Sequence, residues 1–224
     1  MDVALRAGVA VLERSIAYCL GSLAQAGPRH LTAPTPCAGW QLRDLLTHLI
    51  DSMTALQEAA ETDRVALAAP AAGDERAGGA TARDERAGDG AARDERAGDA
   101  AARHEPAGGE LVGLARERAA SLLGAWTHAR GGAVWVGGTP ATAPLIAGAG
   151  AIEVTVHGWD VARACGPGRP IPADLADELL DLAVVLIRPA DRPGRFGRAV
   201  VPPADAPPGE RLLSFLGRTP EGRD

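Results

Sequence analysis

Residues 151–166 have the sequence AIEVTVHGWDVARACG, and the pattern that decides the fold runs through them. From residue 145 onward, side chains recur at intervals of three and four, which is typical of one face of a helix. This face consists of Leu145, Ala149, Ile152, Val156, Trp159 and Arg163. The Gly166-Pro167 pair ends the helix. Glu153 and His157 lie four residues apart, so they share a side of the helix and can reach one ion together.

Four further segments have the same helical spacing, at residues 5–23, 42–56, 111–126 and 172–186. The hydrophobic fraction is 46% but aromatic residues make up only 3%, so Leu, Val, Ile and Ala must build the core. These side chains pack readily between helices. The sequence therefore predicts an all-α fold, with a short strand at Ala199–Val201 and a last helical turn or two near the C-terminus.

Charge and composition exclude several classes of protein. The formal net charge is −6, and no lysine occurs, so there is no basic surface for a nucleic acid. No apolar stretch reaches the roughly 18 residues of a membrane span, and the N-terminal residues do not resemble a signal peptide. We therefore expect a cytoplasmic protein. Cys19, Cys37 and Cys165 are widely spaced, which indicates reduced thiols and neither a disulfide framework nor a CxxC zinc site.

A ten-residue repeat runs from about residue 73 to residue 108. Its copies read DERAGGATAR, DERAGDGAAR and DERAGDAAAR, followed by a degraded HEPAG. Because the segment has dense charge and almost no large apolar residue, it cannot bury enough surface to offset its ordering entropy. We predict a helical domain over 1–190 with a disordered insertion at 73–108, then a Pro/Gly-rich C-terminal extension over 191–224. A protein-binding arm is the alternative for the repeat.

A histidine on the second predicted helix completes a candidate metal site. His48 lies at the edge of that helix's apolar stripe, and Glu153 and His157 lie beside the stripe of theirs, so all three border the interior. Two histidines and a carboxylate from facing helices are a recognised way to hold zinc or another divalent ion. The alternative is a hydrogen-bonded boundary histidine without metal. The other histidines, His30, His104 and His128, are expected in solvent.

Three longer motifs carry a family resemblance. They are PTPCAGWQLRDLLTHLI at 34–50, AIEVTVHGWDVARACG at 151–166 and ADAPPGERLLSFLGRTP at 204–220. In this order and at this separation they resemble the actinobacterial proteins related to mycothiol-dependent maleylpyruvate isomerase, within the wider DinB-like superfamily. The third motif is similar to a branch described only as metal-binding proteins. The resemblance covers most of the chain outside the repeat.

The resemblance implies a DinB-like up-down four-helix bundle with a short C-terminal extension. It implies that His48, Glu153 and His157 bind a divalent metal, commonly zinc, although nickel, iron or manganese also suit these donors. It further implies mycothiol, a low-molecular-weight thiol, as cosubstrate. We therefore expect a thiol-dependent S-transferase or isomerase that acts on a small electrophilic metabolite through a metal-activated thiol.

Two other functions stay open: a metal-dependent hydrolase, and a non-catalytic metal-binding bundle with a stress-related or regulatory role. Bundles of this kind can also form homodimers through exposed helix faces. The relatives place an arginine that contacts substrate or thiol between the second and third helices. The repeat occupies that segment here, so the arginine maps onto no position.

For several residues around the candidate ligands, the sequence allows more than one role. Cys37 and Trp40 belong to the turn that leads into the second helix, where packing is the first interpretation and a catalytic cysteine the second. No activating base is evident near Cys37 in the sequence. Asp160 either orients His157 or faces solvent. Trp159 is expected in the core, and Arg163 either lines the pocket or pairs with a carboxylate.

Overall fold

The long helices form where the apolar spacing predicts them. The structure, a computed structural model, describes residues 2–65, 108–192 and 196–219. Its α-helices are α1 (Val3–Leu23), α2 (Leu42–Thr62), α3 (Gly108–Thr127), α4 (Ala143–Cys165), α5 (Ala173–Leu186) and α6 (Pro208–Phe215). Its strands are β1 (Arg64–Val65), β2 (Ala133–Val136) and β3 (Thr139–Thr142). The described chain is thus mostly helical, with a small sheet that the all-α prediction omits.

Local hydrogen bonds fix where the first two long helices begin. The Asp2 side chain accepts a hydrogen bond from the Leu5 amide at 2.7 Å, and so caps the N-terminus of α1. The Asp44 carboxylate accepts one from the Gln41 amide at 2.9 Å and places a negative charge in the first turn of α2. The start of α2 decides the position of His48, two turns into that helix.

Contacts along the helices give their directions. Gly8 of α1 lies beside Pro144 at the start of α4, and Gly158 near the end of α4 lies beside Cys19, so these two helices are parallel. On α2, Leu56 lies against Gly150 whereas the earlier residue His48 contacts Glu153, so α2 runs antiparallel to α4.

Helix α3 runs in the same direction as α2. Near the C-terminus of α3, the Trp126 indole N–H donates to the carbonyl of Leu56 in the last two turns of α2, at 3.0 Å. The Arg116 guanidinium donates to the Leu23 carbonyl at the end of α1, at 2.7 Å, and so sets α3 antiparallel to α1. Helices α1, α2, α3 and α4 therefore run up, down, down and up. This order corrects the alternating up-down order implied by the resemblance. Residues 63–107 separate α2 from α3 in the sequence, and bundles in which consecutive helices are parallel need a long connection.

The core lies among the four long helices. The largest fully buried side chains come from α1, α2, α3 and α5, and they include Leu12, Ile16, Leu46, Leu49 and Trp126. Helix α4 contributes mainly small residues, which allows close approach. A Cβ atom at Gly158 would lie 3.1 Å from the Cα atom of Cys19. The α1 backbone therefore lies directly on α4 and holds it in place behind the site.

A small sheet covers one end of these helices. Strand β1 pairs with β2 in parallel, and β2 pairs with β3 antiparallel. Gly137 and Gly138 join β2 to β3 with φ values of 53° and 85°, a conformation that favours glycine and suits a two-residue hairpin. The sequence GGTPATAP, which starts at Gly137, reads as a turn because of its two glycines and two prolines. The prediction missed β3 because Thr-Pro-Ala-Thr has no strong strand pattern.

The C-terminal segment packs on the helical core through α6, which contacts α5. The predicted strand at Ala199–Val201 is wrong. This stretch is irregular, and the Val200 amide donates to the Ser214 carbonyl of α6 at 2.8 Å. The decapeptide repeat and His104 lie outside the described residues. No described helix is both long and apolar enough to cross a membrane.

Candidate metal centre

The three predicted ligands come together between α2 and α4. His48 Nε2 lies 2.9 Å from Glu153 Oε1, and His157 Nε2 lies 3.4 Å from the same oxygen. One ligand atom from each residue can be chosen so that all three lie within 4.8 Å of one another. One histidine from α2 and one from α4 thus contact the same carboxylate oxygen. As the sequence predicts, the i,i+4 spacing puts Glu153 and His157 on the same side of α4, close enough to reach one ion.

Ser52 is a fourth polar contact that the sequence prediction missed. Its hydroxyl donates to Glu153 Oε1 at 2.9 Å. Ser52 lies one helical turn after His48 on α2, so the same i,i+4 rule that pairs Glu153 with His157 could have found it. The carboxylate oxygen is therefore held in position from both helices.

Asp160 lies behind His157, away from Glu153. Its side chain is fully buried, and Oδ2 lies 3.0 Å from His157 Nδ1. Of the two roles left open by the sequence, orientation of His157 therefore holds and exposure to solvent does not. An Asp that accepts the Nδ1–H bond leaves Nε2 to face Glu153 and the cavity. This is the usual arrangement behind a metal-binding histidine.

Arg218 completes this group from the C-terminal segment. Its Nη2 atom donates to Asp160 Oδ2 at 2.8 Å, and Nε lies 3.4 Å from Oδ1. The Arg218 side chain is 14% exposed and that of Asp160 is fully buried, so the guanidinium compensates a buried carboxylate. The sequence prediction did not include Arg218. The only sign of Arg218 in the sequence was its position in GRTP, at the end of the third motif.

Cys37 lies close to the same charged groups. Its sulfur lies 3.4 Å from Asp160 Oδ2, 4.0 Å from His157 Nδ1 and 3.8 Å from Arg218 Nη2. The sequence shows no base near Cys37, but the fold brings the Asp160 carboxylate to it from 123 positions away. Cys37, His157 and Asp160 form a second group of possible ligands. There the Arg218 guanidinium already provides the cation, so the first group is the better metal site.

The charges on the side chains of the site stabilise one another. Burial opposes ionisation of Glu153, but hydrogen bonds from His157 and His48 outweigh it and hold the Glu153 pKa well below its usual value. Burial also opposes charge on His157, yet hydrogen bonds to Asp160 and Glu153 hold its pKa well above the usual value. For Asp160, the His157 bond and the Arg218 charge overcome burial and lower the pKa. The two carboxylates on either side of His157 thus favour its protonated form.

Two tryptophans near the site have different surroundings. The Trp40 ring lies edge-on to the His48 imidazole with centroids 5.1 Å apart, and it is 36% exposed at the cavity wall. Trp159 is buried, as predicted. Arg163 stacks over Trp159 at 5.9 Å and donates to the Pro167 carbonyl, so it neither lines the cavity nor forms a described carboxylate pair.

The remaining described histidines lie outside the cluster. His128 is exposed, and its Nδ1 atom lies 2.8 Å from the Gly124 carbonyl. His30 is partly exposed and accepts a hydrogen bond from the Gly27 amide at 3.2 Å. Neither is part of a described group of possible ligands. His128 therefore offers a control for substitutions at His48 and His157.

The cluster faces an open cavity of about 970 Å³. His48, Glu153 and His157 line it, together with apolar side chains from α2, α4 and the residues after α5. A cavity of this size accommodates an organic molecule of several hundred daltons. The candidate ligands are thus reachable from outside, as a site that exchanges a substrate requires.

The donor set suits a divalent metal. Two imidazole nitrogens and one carboxylate oxygen are the ligand types of catalytic zinc sites, in which the remaining position faces the substrate. The structure provides the support that such a site needs, because Asp160 orients His157 and Ser52 holds Glu153. The imidazolium state of His157 must lose its Nε2 proton before that atom can bind a metal.

Two proteins of Mycobacterium tuberculosis are similar to part of this chain. They are named "Uncharacterized protein MT0763" and "Uncharacterized protein Rv0738", and each is 39% identical over 69 residues. The match covers 30% of this chain and 38% of each relative, so it spans well under half the length of those proteins. No solved structure matches the chain at a significant level.

A family comparison covers much more of the sequence. The family described as "Mycothiol maleylpyruvate isomerase N-terminal domain" matches residues 12–162. This range contains most of α1, all of α2 and α3, and the part of α4 that carries the cluster. It includes His48, Glu153, His157 and Asp160, whereas Arg218 lies beyond it. The chain therefore belongs to the mycothiol maleylpyruvate isomerase N-terminal domain family.

Proposed function

We propose that this chain binds a divalent metal through His48, Glu153 and His157 and transfers mycothiol to a small electrophilic metabolite. Zinc suits the two imidazoles and one carboxylate best, with nickel, iron and manganese as the other candidates. The convergence of these three donors on the wall of an open cavity supports the proposal more than any other observation. The family description supports mycothiol as the thiol.

The candidate ligands lie on two facing antiparallel helices, which supports a more specific assignment of the fold. We infer that α1 to α4 form the four-helix bundle of the DinB-like superfamily, with the ligands on its second and fourth helices. Metal sites of helical bundles are built from side chains on facing helices, as His48 and Glu153 are. The reduced thiol that the reaction needs also favours a cytoplasmic location.

A bound divalent ion would supply Lewis acidity and lower the pKa of a coordinated thiol, so that a nucleophile forms at neutral pH. The residues of the chain have separate tasks. Asp160 holds His157 in the orientation in which Nε2 faces the cavity, and the Arg218 guanidinium compensates the charge of the buried Asp160 carboxylate. Ser52 fixes the Glu153 oxygen. These contacts set the donor atoms before substrate arrives, which reduces reorganisation during the reaction.

Mycothiol-dependent turnover of an electrophile tests this function. We expect the purified protein to consume an electrophile such as an α,β-unsaturated ketone only when mycothiol is present. Removal of metal with a chelator should abolish the activity, and zinc should restore it. His157→Ala should abolish it as well, whereas His128→Ala changes a histidine outside the cluster and should keep it.

The alternatives give different results in the same assay. Chelator-sensitive turnover without any thiol would indicate a hydrolase and overturn the thiol-transfer proposal. Metal binding without turnover across electrophiles of several classes would also overturn it, and would favour a non-catalytic role for the bundle. Turnover that a chelator does not affect would contradict the role of the metal.

A further inference from the structure

The Ser52 hydroxyl contacts the neighbouring helix and not its own. Elsewhere on α2, the hydroxyls of Thr47 and Thr54 donate to the carbonyl four residues earlier, at 3.0 and 2.8 Å, as hydroxyls inside a helix commonly do. Ser52 instead donates to Glu153 Oε1 on α4, at 2.9 Å. Its oxygen also lies 3.5 Å from His48 Nε2. The hydroxyl hydrogen of Ser52 is thus used at the candidate metal centre.

Three side chains contact the same oxygen of Glu153. His48 Nε2 and the Ser52 hydroxyl each lie 2.9 Å from Oε1, and His157 Nε2 lies 3.4 Å from it. A carboxylate oxygen has two lone pairs, so it cannot accept three good hydrogen bonds at once. If a divalent ion replaces the two imidazole contacts, one lone pair of Oε1 goes to the ion. The other lone pair stays with the Ser52 hydroxyl.

A glutamate can bind a metal ion through one oxygen or through both. To bring Oε2 to the ion as well, the Glu153 carboxylate must turn, and this movement takes Oε1 away from Ser52. The hydrogen bond at 2.9 Å opposes that movement. Carboxylates that bind metals are commonly held by such a hydrogen bond from a neighbouring side chain. Ser52 therefore favours binding through one oxygen.

We propose that Ser52 is a positioning residue, which holds Glu153 as a ligand through Oε1 alone and thereby keeps a coordination position open. The inference rests on the metal binding of the proposed function. Three protein donors that give one atom each leave a position for a further ligand, as catalytic zinc sites require. A second oxygen of Glu153 would take that position. Ser52 lines the cavity, so the hydroxyl acts on the side from which a substrate arrives.

The zinc affinity of Ser52→Ala tests the hydroxyl in the full chain. Alanine is the best helix former and removes only the hydroxyl oxygen, so α2 should form normally. We expect the zinc dissociation constant to rise by about tenfold to a hundredfold, as when a group that holds a metal ligand is lost. Competition with a fluorescent zinc indicator measures it. The control is Thr54→Val, because that hydroxyl bonds to the Ile50 carbonyl and its loss should leave the affinity unchanged.

Cobalt(II) in place of zinc reports the number of ligands, which a merely structural change in α2 would not alter. Four-coordinate cobalt absorbs visible light much more strongly than five-coordinate or six-coordinate cobalt. Ser52→Ala should therefore weaken the absorption per bound cobalt, because Glu153 can then bind through both oxygens. Thr54→Val should match the wild type.

Two further variants isolate the hydroxyl from the shape of the side chain. Ser52→Thr and Ser52→Val introduce side chains of the same shape, and only threonine keeps the hydroxyl. Ser52→Thr should resemble the wild type in zinc affinity and cobalt absorption, whereas Ser52→Val should resemble Ser52→Ala. This pair decides the question if the alanine variant does not fold.

Failure of this inference differs from failure of the proposed function. A wild-type chain that binds neither zinc nor cobalt would refute the proposed metal site itself. Wild-type binding with the same affinity and absorption in Ser52→Ala and Ser52→Val would overturn only the role of Ser52. Weaker affinity with an unchanged cobalt absorption would also overturn that role, because Glu153 would then bind through one oxygen without the hydroxyl.

Discussion

The Nδ1 atom of His157 lies 3.0 Å from the Oδ2 atom of Asp160, on the side of the ring opposite to Glu153. Through this contact Asp160, three residues after His157 on α4, holds a candidate ligand of the metal centre in place. Asp160 is held by Arg218, which is 58 residues away in the sequence. The helical core and the C-terminal segment are thus joined at the site.

We predict that Asp160→Asn weakens metal binding by about tenfold to a hundredfold. The amide has nearly the same shape, but it lacks the charge that increases the basicity of the His157 imidazole. Competition with a fluorescent zinc indicator measures the dissociation constant. Asp174→Asn is the control, because the Asp174 side chain is 75% exposed. Equal zinc affinity in wild type and Asp160→Asn would contradict a supporting role for this carboxylate.

Arg218→Met is expected to lower the free energy of unfolding by about 3 kcal/mol, because it leaves the buried Asp160 carboxylate without its cation. The matched variant is Arg211→Met. Arg211 pairs with Asp177 at 2.6 Å, but both side chains are about half exposed, so a loss of less than about 1 kcal/mol is expected. Urea unfolding followed by circular dichroism gives both values. A similar small loss in the two variants would show that the buried pair does not stabilise the fold.

The stability of the metal-free protein should fall on both sides of an acidic optimum. The pKa of His157 is raised on folding, so its contribution is full below about pH 6.5 and is lost as pH rises through its folded pKa. The pKa values of Glu153 and Asp160 are lowered, so their contributions are present above about pH 4.3 and are lost as pH falls through their folded pKa values. Urea midpoints in chelator from pH 3 to pH 9 measure the profile.

His157→Gln acts on both limbs of this profile. It removes the imidazole, so the decline above about pH 6.5 should become shallower. The decline at low pH should shrink but persist, because Arg218 still lowers the pKa of Asp160. A wild-type midpoint that rises steadily from pH 6 to pH 9 would mean that His157 carries no stabilising proton in the folded state.

Metal binding near neutral pH is expected to release protons. His157 holds a proton because of Asp160 and Glu153, and the metal must displace that proton from Nε2. Affinity should therefore rise with pH until the free protein has lost this proton. Calorimetric titration with zinc in two buffers that differ in ionisation enthalpy counts the protons released. Identical apparent enthalpies in both buffers would contradict the assignment.

Much of the fold could be predicted from the sequence because helical periodicity is a local signal. The spacing of Leu5, Leu12 and Leu49 depends only on neighbours within a few turns, and those residues are buried as expected. The sheet was missed because strands of two and four residues leave little pattern, and β1 depends on a parallel partner far along the chain. The direction of α3 also depends on tertiary packing.

Some residues of the candidate site could likewise be predicted from local spacing, and others could not. Glu153, His157 and Asp160 lie on one helix, so their mutual spacing is visible in the sequence, and the family motif adds His48. Ser52 follows the same rule and was overlooked. The positions of Cys37 and Arg218 could not be predicted from spacing, because irregular segments bring them to α4 from 123 and 58 residues away.

The metal content of the purified protein tests the central claim most directly. We expect inductively coupled plasma mass spectrometry to find about one divalent ion per chain after purification without chelator, as for a site with three protein ligands. His157→Ala should lose this ion, and His128→Ala should retain it. A wild-type protein that holds no divalent ion and takes up none on dialysis against zinc would contradict the account.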